Sequence, residues 1–143
     1  MALRFEFDAV NKLLLARPEG RLTDESLVAM YGAIRKYSTA TDARAGILDM
    51  SSVTEFALSP ECVRDLARRE PAMPDGDKRP RVIAVMNPTG FGFARMFQIV
   101  GEATRQLLEV VHTMDEALAA LGIEFPQFTP LEITEQSRAS TQS

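Results

Sequence analysis

Apolar and polar residues alternate at the start of the chain, with Leu3, Phe5 and Phe7 set against Arg4, Glu6 and Asp8. That two-residue period is the mark of a half-buried strand. A turn over residues 8–11 and a second short strand over 12–17 complete a hairpin, which Pro18-Glu19-Gly20 brings to an end. The period then lengthens. Leu27, Met30, Tyr31 and Ile34 recur at helical spacing behind Thr23, an N-cap residue followed by Asp24 and Glu25, with Arg35 and Lys36 near the end. Gly46-Ile47-Leu48-Asp49-Met50 is a short apolar strand that turns polar at Ser51-Ser52, and residues 53–58 are expected to form a linker. Ser59-Pro60-Glu61 then opens a helix with a cap, a proline at its first position and an acid in its first turn. Val63, Leu66 and Ala67 supply its inward face.

Residues 71–80 carry three prolines, a glycine and four charges, the composition of a loop. Residues 81–86 are an apolar, β-branched strand of the type buried in a parallel sheet. Asn87-Pro88-Thr89-Gly90 leads into a helix with Phe93, Met96, Phe97 and Val100 on its apolar side. A last strand over 108–112 hands over to Thr113-Met114-Asp115-Glu116, a capping box, and the helix that follows stops at Gly122. The order β-β-α-β-α-β-α-β-α predicts an α/β domain over residues 1–122, with a mixed, mostly parallel sheet and four flanking helices. Residues 123–143 read as a C-terminal tail, partly apolar and then polar. Phe125, Phe128, Leu131 and Ile133 are too apolar for a pure linker, so they are expected on the domain or on a second copy of the chain, as a homodimer.

Composition narrows the classes. With 143 residues, 45% hydrophobic and 25% charged, the chain has the balance of one globular domain that needs no disulfide or metal staple. A net charge of -4 argues against nucleic-acid binding driven by general electrostatics. The single Cys62 allows no internal disulfide and fits a reducing cytoplasm. Charged residues follow Met1-Ala2-Leu3 at once, and the apolar runs fall far short of the ~20 residues of a membrane span. The expectation is a soluble, cytoplasmic protein with no transmembrane segment.

The element order, with Leu48-Asp49-Met50-Ser51 closing a strand ahead of a Ser-capped helix and Met114-Asp115-Glu116-Ala117-Leu118 opening the last one, resembles the STAS family over about residues 3–122. More narrowly it is similar to the SpoIIAA-like branch, known for its anti-anti-sigma factors. In regulatory members a phosphorylated residue opens the helix after that strand, and the resemblance places it on Ser59. The string here, Ala57-Leu58-Ser59-Pro60, lacks the aspartate and glycine that flank the family's phosphoacceptor. The resemblance implies a non-enzymatic protein-interaction or regulatory module of bacterial-type signalling, with a protein partner and no cofactor.

The residues themselves leave two readings of Ser59: a helix cap, or a phosphoacceptor whose added charge a helix N-terminus tolerates. Gly90-Phe91-Gly92 follows a strand and opens a helix, as a phosphate-cradling loop does, but Arg95 stands where a dinucleotide fingerprint needs a third small residue. The favoured reading is a turn that lets the helix pack close to the sheet. In open parallel sheets ligands sit beyond the carboxyl ends of the strands. Asp49, Ser51, Ser52, Asn87, Thr89, Gly90, Phe91 and Arg95 are the candidates there. This second reading is a binding protein for an apolar or anionic, lipid-like molecule. Cys62 and His112 are read as a structural thiol and a strand-end histidine rather than a catalytic dyad, and no metal-ligand cluster is spaced for binding. The arginines and lysine at 64, 68, 69, 78, 79 and 81 are interleaved with acids and read as a solvated face.

Overall fold

A computed structural model of the chain describes residues 2–69, 79–102 and 107–131. Most of the loop expected at 71–80, and the end of the tail with Ile133, lie outside these. Among the described residues the fold is α/β, with seven strands and four helices. They are β1 (Ala2–Asp8), β2 (Leu13–Thr23), α1 (Asp24–Ala40), β3 (Ala45–Asp49), β4 (Val53–Ala57), α2 (Pro60–Arg68), β5 (Arg81–Ala84), α3 (Pro88–Val100), β6 (Leu108–Val111), α4 (Met114–Leu121) and β7 (Thr129–Pro130). The sheet runs β6-β5-β3-β2-β1-β7, with β4 also paired to β2. β1 is antiparallel to β2 and β7, and the pairs β2–β3, β2–β4, β3–β5 and β5–β6 are parallel.

Two strands, β4 and β7, go beyond the expected order, and the first has its physical origin in β2. This strand passes through Pro18 instead of stopping there. Its first part pairs with β3 up to Ala16, and its last part pairs with β4 from Gly20. The Gly20 N–H points to that side, donating to Ser52 O at 3.0 Å. By the two-residue alternation of a strand, Pro18 faces the same side, in the gap between the two partners, where its missing N–H leaves no carbonyl unpaired. The long β2 thus offers an edge to residues 53–57, and the expected linker becomes β4. β7 adds two residues of the tail to β1, and Leu131 N–H donates to Phe5 O at 2.9 Å.

The middle strands are buried on both faces. Leu13, Leu15, Ile47, Val82 and Ala84 pack against Ala117, Leu118 and Leu121 of α4 and against Ile123 and Phe128. Their alternating neighbours Leu14, Ala16, Leu48 and Ile83 face the opposite layer, made by α1, α2 and α3. The helix ends are capped as their residue types dictate. Thr23, Ser59, Asn87 and Thr113 each accept a backbone N–H, and Gly122 adopts φ 70°, the left-handed stop that glycine permits. Of the tail's apolar residues, Phe128 and Leu131 rejoin the domain and Phe125 is exposed.

Candidate functional site

On the side of the sheet opposite α4, α1 presents Leu27, Met30, Tyr31 and Ile34, α2 presents Val63 and Leu66, and α3 presents Gly90, Phe93, Ala94 and Phe97. Between them and Leu14, Ala16, Leu48 and Ile83 of the sheet lies a cavity of about 140 Å³. The same periodicity that marks α1 and α3 as amphipathic therefore builds the cavity wall.

The cavity runs along the strands. At their carboxyl ends it is bounded by Met50, Phe56, Leu58 and Gly90; at their amino ends by Ser38, Ala43, Gly46, Arg79 and Arg81. Gly90 and Phe56 are in intimate contact: a Cβ on residue 90 would lie 2.5 Å from the Cζ of Phe56. Only glycine admits that approach of ring to helix, and the ring in turn forms part of the wall. At the other end Arg79 Nη1 donates to Ala43 O at 2.6 Å, which brings the guanidinium onto the cavity rim. The Arg81 stem passes over Gly46, its Cγ 3.9 Å from where a Cβ would stand.

The residues singled out at the strand ends do not form one cluster. Asp49 follows Ile47 and Leu48 in alternation and so lies on the α4 side of the sheet. It is buried, its Oδ2 accepting from Arg17 Nε at 3.1 Å and its Oδ1 from Ser51 N–H at 3.0 Å; Arg17 also pairs with Glu6 at 3.3 Å. Across the sheet, Asn87 caps α3 by accepting from Gly90 N–H at 3.1 Å, with Thr89 exposed beside it. Phe91 stacks on His112 with centroids 4.4 Å apart. Ser51 is exposed and Ser52 half-buried, its carbonyl taken by Gly20. Arg95 is exposed and donates to Gln98 Oε1 at 2.6 Å. Of this set only Gly90 lines the cavity.

Ser59 is a cap held from two sides. Its Oγ accepts from Cys62 N–H at 3.2 Å and donates to Asp24 Oδ2 at 2.7 Å, while its own N–H donates to Asp24 Oδ1 at 2.8 Å. These bonds from Ser59, the backbone one first, hold the Asp24 carboxyl below its ordinary pKa. The Cys62 thiol donates to Asp24 O at 3.8 Å, and burial together with the nearby Asp24 charge pushes its pKa up. A thiol so placed is protonated and a poor nucleophile. Replacing Ser59 with alanine removes the cap and one of Asp24's two donors, with an expected loss of about 1 kcal/mol in urea unfolding at neutral pH. Part of that loss fades below about pH 4 as Asp24 protonates, because a lowered carboxylate pKa stabilises only above it.

Among the cavity residues that the sequence did not single out are Ser38, Phe56, Leu58, Arg79 and Arg81. Phe56 sat in an expected linker, and the two arginines were grouped with a solvated face. The one local signal was the position of Arg81 at the head of an apolar strand. Among the described residues, no group of three or more His, Cys, Asp and Glu is placed to hold a metal ion. No helix there is long and apolar enough to cross a membrane. No protein-family model matches the chain, and a search of the curated proteins finds no match to it.

Proposed function

We propose that this chain is a non-enzymatic binding module that takes a small apolar ligand between its sheet and the layer α1–α3. The cavity carries this reading. Apolar cavities of roughly 150 Å³ stay dry and accept a molecule the size of benzene, because such a guest restores contacts that the empty wall lacks. The space here is of that size, and its central wall is made of Leu, Ile, Met and Phe side chains.

The STAS resemblance supports a different emphasis, a regulatory module switched at Ser59. The contact with Asp24 weighs against the switch. A phosphoryl group on Oγ removes the proton donated to Asp24 and sets two anionic groups side by side.

Titration with toluene, followed by the methyl resonances of the protein, tests the ligand reading. Leu14, Ile34 and Ile83 are expected to shift and saturate, while Leu118 and Leu121 on the α4 side hold still. Equal, unsaturating shifts on both sides up to the solubility of toluene are the result that ends the proposal.

A further inference from the structure

Nothing in the fold around Gly46 calls for glycine. The residue sits in β3, level with Leu14 of β2 on one side and Arg81 of β5 on the other, in even register with no bulge. Its φ is not positive, unlike that of Gly20 and Gly122. A Cβ there would meet Leu14 O at 3.8 Å and Arg81 Cγ at 3.9 Å, which is ordinary contact, whereas a Cβ at residue 90 meets Phe56 at 2.5 Å. A glycine inside a strand loses more entropy on folding and packs nothing. Where no bulge or bend explains it, the usual cause is the close approach of a ligand or a second backbone. By the alternation of β3, the missing side chain of Gly46 points the same way as Leu48, toward the layer α1–α3, and Gly46 lines the cavity.

The cavity is also long for its volume. Gly46 and Met50 both line it and stand four residues apart on an extended run, so it spans about 13 Å along the strand at ~3.3 Å per residue. A volume of about 140 Å³ spread over that length is a narrow channel. We infer that Gly46 is a ligand-contact residue: it keeps the amino end of the channel open for a slender apolar molecule that lies along β3 and rests one end on bare backbone. This rests on the ligand reading above and adds the shape of the ligand and the residue that reads it. A methyl group at position 46 fills the end of the channel, so it favours the fold and opposes the ligand. A glycine kept for the sake of the fold behaves in the opposite way.

Two isomers of one composition test the shape: n-butylbenzene and tert-butylbenzene, titrated into the whole chain and followed by its methyl resonances, with toluene as the short probe. The slender isomer is expected to bind at least about fivefold more tightly, because the branched group overfills a narrow channel. In Gly46→Ala the urea midpoint is expected to rise by about 0.5 M, since the unfolded chain has less entropy to lose. The n-butylbenzene affinity of that variant is expected to fall about fivefold, the worth of roughly one methylene of displaced contact. Toluene, short enough to stay near Phe56, is expected to change by less than about twofold. Equal affinity of the two isomers overturns the slender ligand and leaves the apolar cavity standing. A lowered urea midpoint in Gly46→Ala, or an n-butylbenzene affinity that it leaves unchanged, overturns the contact at Gly46. If none of the three hydrocarbons binds the wild-type chain, the ligand reading itself falls and takes this one with it.

Discussion

Asp8→Ala is expected to lower the unfolding free energy by about 3 kcal/mol, although the side chain touches no part of the cavity. Asp8 is fully buried at the hairpin between β1 and β2. Its Oδ1 accepts from Val10 N–H at 3.0 Å and Asn11 N–H at 3.1 Å, and its Oδ2 from the Asn11 side-chain amide at 2.6 Å and Gln127 N–H at 3.0 Å. One carboxylate thus fixes the turn and ties the C-terminal segment to it. Alanine leaves three backbone donors without an acceptor, each at about 1 kcal/mol in a partly buried site. Urea titration gives the value directly, and Asp8→Asn, which retains one accepting oxygen, is expected to recover about half.

The pH dependence of the same pair has a definite sign. Burial pushes the Asp8 carboxyl up, but the hydrogen bonds from Asn11, Gln127 and Val10 together outweigh it and its pKa lies below the ordinary value. A carboxyl lowered on folding contributes fully above its unfolded pKa of about 3.9 and loses that contribution as pH falls through the folded one. The gap between wild type and Asp8→Ala is therefore expected to be constant from pH 5 to 7 and to narrow below about pH 4. A gap that stays level into stronger acid would mean that the carboxylate charge plays no part.

Gly90→Ala is expected to cost at least tenfold in affinity for a cavity ligand while leaving the fold intact. The new methyl meets the Phe56 ring at 2.5 Å, so the ring has to turn, and the free space beside it is the cavity. Displacing the contacts of two methylenes is worth ~1.6 kcal/mol, slightly more than one decade in affinity. Stability moves less, because overpacking of about 1–3 kcal/mol is offset by the roughly 1 kcal/mol by which alanine favours a helix over glycine. Toluene titration of this variant beside Gly92→Ala, where the added methyl meets nothing within 4 Å, separates the two effects. Equal affinity in both variants would show that Phe56 does not share its space with the ligand.

Where local chemistry decided an element, the residues announced it. Thr23, Ser59 and Thr113 mark helix starts, and Gly122 marks a stop. Where a partner far along the chain decided, they did not. Pro18 looked like an end because the gap that excuses its missing N–H exists only once β3 and β4 are in place. With β2 cut short, the apolar Val53 and Phe56 had nothing to pair beside. The cavity was legible in part, since Phe93 and Phe97 were read on the apolar side of their helix and both line it. Its polar end was not. Which end of a strand carries a rim depends on how far α1 extends, and α1 runs to Ala40, one turn past the charges that suggested its end.

Because β2 joins β1, β3 and β4, the order of synthesis has a simple relation to the order of pairing. Once Ala57 has been added to the growing chain, every partner of β2 exists, and α1 with its capping box is complete between them. The loops to be closed up to that point are short, so the entropy of closing them is small. β5 and β6 are then added one after the other to the free side of β3, each brought in by a crossover helix, and β7 to the free side of β1. Residues 2–57 thus hold β2 with all of its partners, and the remaining strands lie outward from them on either side.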